Sequence, residues 1–290
     1  MARDYVIIAD STNDLPEEFA KEHDIDIIPL LYELGDETYG KERSLSPHEF
    51  YEGMREGKST KTAAANIEEI KEHFEKALKD GKDVLFMCLS SGISSTVGNA
   101  FVCKSELEDE YPEADICVID SLCASGGQGM LLYRAVQNKE KGMSAKENYE
   151  NLESIKLNIV HKFTVEDLKY LQRGGRISKT AATIGTMINL KPLLHVDNEG
   201  KLVAETKVRG RRKALQQMVK DMGKCMGSYI DKQDLIIVCH ADTDVDAQFT
   251  VDAINELYHP DKIIVSGITP TIGAHSGPGT IAIFFMGDIR

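Results

Sequence analysis

The chain has no apolar run approaching the roughly 18 residues that a membrane-crossing helix needs. Residues 1–10 also lack a basic segment followed by a cleavable apolar stretch, so the expectation is a cytoplasmic protein with no integral membrane segment. Basic residues are in the minority: 34 Lys and Arg face 47 Asp and Glu, a net charge of -13. That balance opposes general attraction to nucleic acid or anionic lipid. Cys88, Cys103, Cys117, Cys123, Cys225 and Cys239 include no Cys-x-x-Cys pair and no histidine group nearby, which argues against zinc scaffolds and disulfide frameworks. The eight histidines are dispersed, and no metal is assigned. Gly126-Gly127-Gln128-Gly129 has neither the dinucleotide-binding spacing nor the lysine of a P-loop; close helix packing accounts for its glycines, and no cofactor is expected.

What is present is enough apolar sequence for a large core: 42% of 290 residues, a length that favours two domains. Residues 5–9 read as a buried strand. Asp14-Leu15-Pro16-Glu17 then reads as a helix start with Asp14 as N-cap, and Ser46-Pro47-His48-Glu49 and Asn66-Ile67-Glu68-Glu69 as two further capping boxes. Ile67, Ile70, Phe74 and Leu78 form one helical stripe that stops near Gly81. Residues 84–89 and 116–119 are near-continuous apolar runs, as strands of a parallel sheet covered on both faces should be. After two helices, over 126–141 and 144–156, the texture changes. The second half begins with a strand over 158–163 and a helix over 165–172, then the turn Arg173-Gly174-Gly175-Arg176-Ile177-Ser178 and an apolar helix over 180–188. Strands over 192–196 and 201–206 flank a hairpin-like turn, 197–200, and helices over 211–226 and 245–258 alternate with further strands. The prediction is an α/β protein of two domains, residues 1–158 with a mainly parallel sheet and residues 159–290 with a mixed one.

Three hydroxyl-rich loops fall at the carboxyl ends of predicted strands: Asp10-Ser11-Thr12, Ser90-Ser91-Gly92-Ile93-Ser94-Ser95-Thr96 and Asp120-Ser121. That edge is where open parallel sheets bind ligands, although the same residues also cap helices. Ser91 and Ser94, at a helix start with free backbone N–H groups, suit an anionic oxygen such as a carboxylate. His275 lies among Gly273, Ser276, Gly277, Pro278 and Gly279, small residues that admit a ligand. A serine hydrolase is the competing reading, with Ser94 in a degenerate nucleophile elbow, then Asp242 or Asp244, then His275. Against it, Thr96 replaces the closing glycine. Lys201, Lys207, Arg209, Arg211, Arg212, Lys213 and Lys220 form a basic stretch broken by one acid, Glu205. It is either a solvated helix face or a docking surface for an acidic partner or phosphate.

Five ordered segments together resemble the DegV family of bacterial fatty-acid-binding proteins, which includes the binding subunit of fatty acid kinase. They are Asp10-Ser11-Thr12-Asn13-Asp14-Leu15-Pro16, Leu89 to Thr96, Leu171 to Ser178, Lys207-Val208-Arg209-Gly210-Arg211, and His275-Ser276-Gly277-Pro278-Gly279-Thr280. The resemblance implies a long-chain fatty acid in a tunnel near the domain interface and a non-catalytic protein that presents the carboxylate to a separate kinase subunit. It maps the carboxylate ligands onto Thr62, the loop Ser91, Gly92, Ser94 and Ser95, and His275 with Ser276, and kinase docking onto Arg173, Arg176 and Arg209. Ile184, Met187 and Ile188 become candidates for the tunnel wall. Ala63 stands where the family usually has Ser, and Ser95 where it usually has Gly; Ser95 and Ser59 are candidate substitutes for the missing hydroxyl.

Overall fold

Near-continuous burial along Tyr5–Asp10, Asp83–Cys88 and Ile116–Asp120 makes these the strands β1, β6 and β7 of one parallel sheet, edged by β2, Asp26–Ile28. Its order is β2-β1-β6-β7, every pair parallel. The computed structural model describes residues 3–178 and 189–290; the helix expected over 180–188, with Ile184, Met187 and Ile188, lies outside them. A six-stranded mixed sheet follows, built from β8 (Ile159–Thr164), β9 (Leu190–Val196), β10 (Leu202–Arg209), β11 (Ile236–His240), β12 (Ile263–Gly267) and β13 (Ile281–Met286). Its order is β10-β9-β8-β13-β11-β12, antiparallel except for β11 with β12.

Helices cover the sheets in layers. Ile67–Lys79 (α3) and Thr96–Glu110 (α4) bury Ile70, Phe74, Cys103 and Leu107 with the outer face of the parallel sheet, Ile8, Val84, Phe86 and Val118. Helix Arg211–Met226 and helix Asp244–Tyr258 close the outer face of the mixed sheet, over Val160, Ile236, Ile281 and Phe285. Between the inner faces runs Gly126–Glu140 (α5), whose Met130, Leu131 and Leu132 join the shared core. The glycines at its start have a packing reason: a Cβ on Gly127 would lie 2.1 Å from His161 Nε2, and one on Gly129 2.4 Å from the Asn13 carbonyl oxygen.

Local chemistry sets the helix starts. Ser46 with Glu49 and Asn66 with Glu69 form complete capping boxes, as their spacing predicts. Asp14 does not cap. Helix Glu17–Glu22 begins after Pro16 with no side-chain cap, while Asp14 is buried at φ 50° and turned the other way. Residues 32–39 and 60–62, for which no strand is predicted above, form an antiparallel three-stranded sheet in the order β4-β3-β5: β3 is Tyr32–Leu34, β4 is Glu37–Tyr39 and β5 is Thr60–Thr62. Three-residue strands are too short to show a period of two.

The Asn66 box gives a direct check. Asn66→Ala removes the acceptor of the Glu69 N–H at 2.9 Å, and the unfolding free energy from urea titration should fall by about 1 kcal/mol. An unchanged midpoint would mean that tertiary packing alone holds the start of α3.

Candidate functional site

The carboxyl edge of the parallel sheet faces the inner side of the mixed sheet, and between them lies a cavity of about 270 Å³. The mixed sheet supplies alternate residues, His161 and Phe163 from β8 and Ala282 and Phe284 from β13, because every second side chain of a strand shares a face. Leu30, Leu89, Ile93 and Ala124 come from loops that follow parallel strands, and Ile268, Ile272, His275 and Ser276 from a short helix, Pro270–Ser276, and its approach. Among the described residues no Asp or Glu lines the cavity, and Arg176 is the one charged member.

Thr62, Ser94, Ser95, His275 and Ser276 all line this cavity, as do Ala63 and Arg176. Thr62 Oγ1 and His275 Nε2 share a hydrogen bond of 2.8 Å. His275 Nδ1 and Ser276 Oγ are buried with no hydrogen-bond partner among the described residues. The imidazole also needs a glycine beside it: a Cβ on Gly174 would lie 2.2 Å from Nδ1. Burial pushes the His275 pKa down to about 4, with Arg176 and Arg173 adding repulsion, so the ring is neutral at physiological pH. His161 is neutral as well. Its pKa lies well below the ordinary value, chiefly through burial, and it accepts the Ala124 N–H at Nε2 while Nδ1 faces the Ile159 carbonyl.

Several expectations need correction. Ser91 and Gly92 do not line the cavity. The Ser91 N–H is held by Asp120, and Gly92 packs so closely on the turn at Glu199 and Gly200 that a Cβ would lie 2.6 Å from both carbonyl oxygens. Most amides of the serine loop are engaged within it: the N–H groups of Gly92, Ile93, Ser94 and Thr96 are donated to Ser90 or to Ser94 Oγ. Asp10 and Asp120 fasten the loops instead of lining the site. Asp10, fully buried, accepts from Leu89 N–H at 2.8 Å and from Gln128 Nε2 at 3.1 Å. Ser59 is exposed and away from the cavity, whereas Ser95 stands at its rim.

Arg176 turns inward. Its Nε donates to the Ile93 carbonyl at 3.1 Å, joining the glycine-arginine turn to the serine loop. Arg173 and Arg209 are exposed, and Arg173 reaches Thr60 Oγ1 at 3.5 Å. The basic stretch is partly neutralised, since Arg211 pairs with Asp246 and Glu166. Asp242 is engaged by Arg55 and His48, and Asp244 stands near His240. His275 therefore has Thr62 and no carboxylate as its partner, and no hydrolytic triad is assembled among the described residues.

Sequence reasoning missed Asp14, Ser125 and Thr60 at the edge of the site. Asp14 accepts the Thr269 N–H at 2.9 Å and the Ser125 hydroxyl; Thr60 Oγ1 donates to the Ala274 carbonyl at 3.0 Å. Burial raises the Asp14 pKa to about 7. The one available signal, an Asp two residues before a proline at a helix start, points to the cap that Asp14 does not make.

A family model described as "Uncharacterised protein, DegV family" matches residues 4–288. A DegV domain-containing protein of Clostridium perfringens is 36% identical over 99% of this chain and 98% of its own length. Among solved structures, one described as fatty acid binding of a DegV family protein from Thermus thermophilus is 27% identical. It superposes with a TM-score of 0.86 over 99% of this chain and all of its own. DegV of Bacillus subtilis, described as a fatty acid binding protein, is 29% identical, with a TM-score of 0.84 over 99% of this chain and 100% of that one. Within the described residues no helix is long and apolar enough to cross a membrane.

The two shifted groups predict opposing pH slopes. His275 resists protonation when folded, so between 6.5 and about 4 the unfolded chain takes up a proton that the native state refuses. That contribution falls as pH drops, by up to about 3 kcal/mol. Asp14 titrates near 7 folded against 3.8 unfolded, so its contribution falls as pH rises through that window, by up to about 4 kcal/mol. In the wild type the two slopes oppose each other. His275→Gln should unmask the second, giving stability that declines more steeply between about pH 5 and pH 7 in urea titrations; a slope equal to the wild type's would refute the neutral, depressed His275.

Proposed function

The chain belongs to the DegV family, and on that footing we propose that it is a cytoplasmic carrier of long-chain fatty acid, not an enzyme in its own right. The observation that carries this reading is the polarity of the cavity. Among the described residues, hydroxyls, two neutral imidazoles and one guanidinium share a wall that is otherwise largely apolar and holds no carboxylate. Thr62, Ser94, Ser95, His275 and Ser276 hold the carboxylate and Arg176 balances its charge, while the acyl chain occupies the space against Phe163, Ala282 and Phe284. The solved relatives described as fatty-acid-binding support the same ligand class. Each buried methylene contributes about 0.8 kcal/mol, so the chain supplies affinity and the polar groups set orientation.

The proposal extends to a partner kinase. A carboxylate oxygen attacks the terminal phosphorus of a nucleoside triphosphate held by that partner. The bond from this phosphorus to the bridging oxygen breaks, leaving an acyl phosphate on the carrier and a diphosphate on the kinase. Nothing at His275 activates a nucleophile, and the carrier's task is to leave the head group reachable. Exposed Arg209 and Arg173 are the docking residues in this reading; Arg176, turned into the cavity wall, serves the ligand instead.

Native mass spectrometry after mild purification should find a bound fatty acid, and a protein that is empty and also fails to bind added oleic acid would sink the carrier reading. Shortening a saturated acid by two methylenes should weaken binding about 15-fold, and His275→Ala should weaken oleate binding about tenfold. Arg209→Ala should lower acyl-phosphate formation with the kinase while leaving the oleate Kd unchanged; a raised Kd would place Arg209 in the binding site.

A further inference from the structure

The helix Pro270–Ser276 follows the mixed sheet's edge strand β12 in the chain, yet its N-cap residue does not cap it. Thr269 makes no side-chain cap bond, and its hydroxyl is buried without a partner among the described residues. The Thr269 N–H goes instead to Asp14 Oδ1, 2.9 Å away, on the loop that leaves β1 of the parallel sheet. The other carboxylate oxygen, Oδ2, accepts the hydroxyl of Ser125, which stands at the start of α5 and lines the cavity. One buried side chain thereby touches the parallel-sheet loop that carries it, the central helix start and the helix that carries His275 and Ser276. Ser125 and Asp14 both adopt positive φ, 56° and 50°, a conformation that costs free energy and persists only where the surroundings fix it.

We propose that Asp14 is a positioning residue that latches helix Pro270–Ser276 onto the parallel-sheet half, and that its protonation reverses the hydrogen bond to Ser125. Ionised, Asp14 accepts from both Thr269 and Ser125. Protonated at Oδ2, it still accepts the Thr269 N–H at Oδ1 but now donates to Ser125 Oγ. The Ser125 proton is then free to point at the cavity or at the neighbouring Cys239 thiol. The groups facing Asp14 favour a labile proton. They are Asp10 at the end of the strand before its loop, the Tyr51 phenol from helix Pro47–Arg55, and Cys239 from β11; Arg55 and Asp242 also act on Tyr51. No basic side chain is paired with Asp14 among the described residues. The proton sits near 7, so the direction of the Asp14–Ser125 hydrogen bond responds to ordinary pH changes while the Thr269 contact is kept.

The part of this inference that concerns ligand grip rests on the fatty-acid reading, and the latch itself does not. Hydrogen exchange on the ligand-free protein tests the latch. Asp14→Ala should raise exchange across residues 268–277 about tenfold with core strands unchanged, and Asp14→Asn, which keeps an acceptor for Thr269 and a donor for Ser125, should stay within about twofold of wild type. Unchanged exchange in Asp14→Ala overturns the latch; if that variant does not fold, faster exchange in Asp14→Asn overturns it. Oleic acid titration tests the rest. Asp14→Asn should lose a pH-dependent component of the oleate Kd that wild type shows between about pH 6 and pH 8, and superimposable profiles overturn the proton control. If wild type binds no oleate while Asp14→Ala still loosens residues 268–277, the carrier reading fails and the latch stands.

Discussion

A seven-residue helix connected to one sheet and hydrogen-bonded to elements of the other half sets the geometry of the cavity's polar part. Along Pro270–Ser276 and its approach, Tyr51 Oη donates to the Ile268 carbonyl, Asp14 accepts from Thr269, Thr60 donates to the Ala274 carbonyl and Thr62 meets His275. Each pair joins residues more than two hundred positions apart. A single buried hydrogen bond contributes only about 1 kcal/mol net, yet leaving its partner unsatisfied costs more. Four together make the docked position of this helix much cheaper than any displaced one, and His275 takes its place from them rather than from its own loop.

The electrostatics follow from the same burial. His275 is held neutral and flanked by Arg173 and Arg176, so among the described residues the charge lining the cavity is the positive one of Arg176. The buried acids lie behind the wall. Asp10 is saturated by donors from Leu89, Thr12 and Gln128, and Asp14 by Thr269 and Ser125. Hydrogen bonds rather than counter-charges satisfy them, which keeps carboxylates from competing with an anionic ligand for Arg176.

Where one physical signal sufficed, the sequence was readable. Apolar continuity marked β6 and β7, and Ser46 and Asn66 with a Glu three residues on marked two helix starts. The parallel and mixed sheets agree with expectation, and the serine loop, Thr62 and His275 line one cavity. Failures cluster where the partner is distant in sequence. Asp14 has the spacing of a cap, but a buried amide from residue 269 and a hydroxyl from residue 125 compete for it and win. Ser91 and Gly92 belong to the right loop, yet Asp120 and the turn at Gly200 turn them from the cavity. Arg176 reads as a surface docking residue because nothing local indicates that its guanidinium reaches the Ile93 carbonyl.

The alternation of β8 and β13 has a consequence for how this protein can change over evolutionary time. Phe163 stands opposite Ala282 and His161 opposite Phe284, all four facing the cavity, while Lys162 faces away to pair with Glu205. Parity along these strands therefore separates the bore from the helix-covered face. Substitutions can retune the bore one side chain at a time, but insertion or deletion of one residue in β8 would exchange the two sets and put a lysine where a phenylalanine had been. The cavity can drift in shape through point changes while the lengths of its walls stay counted.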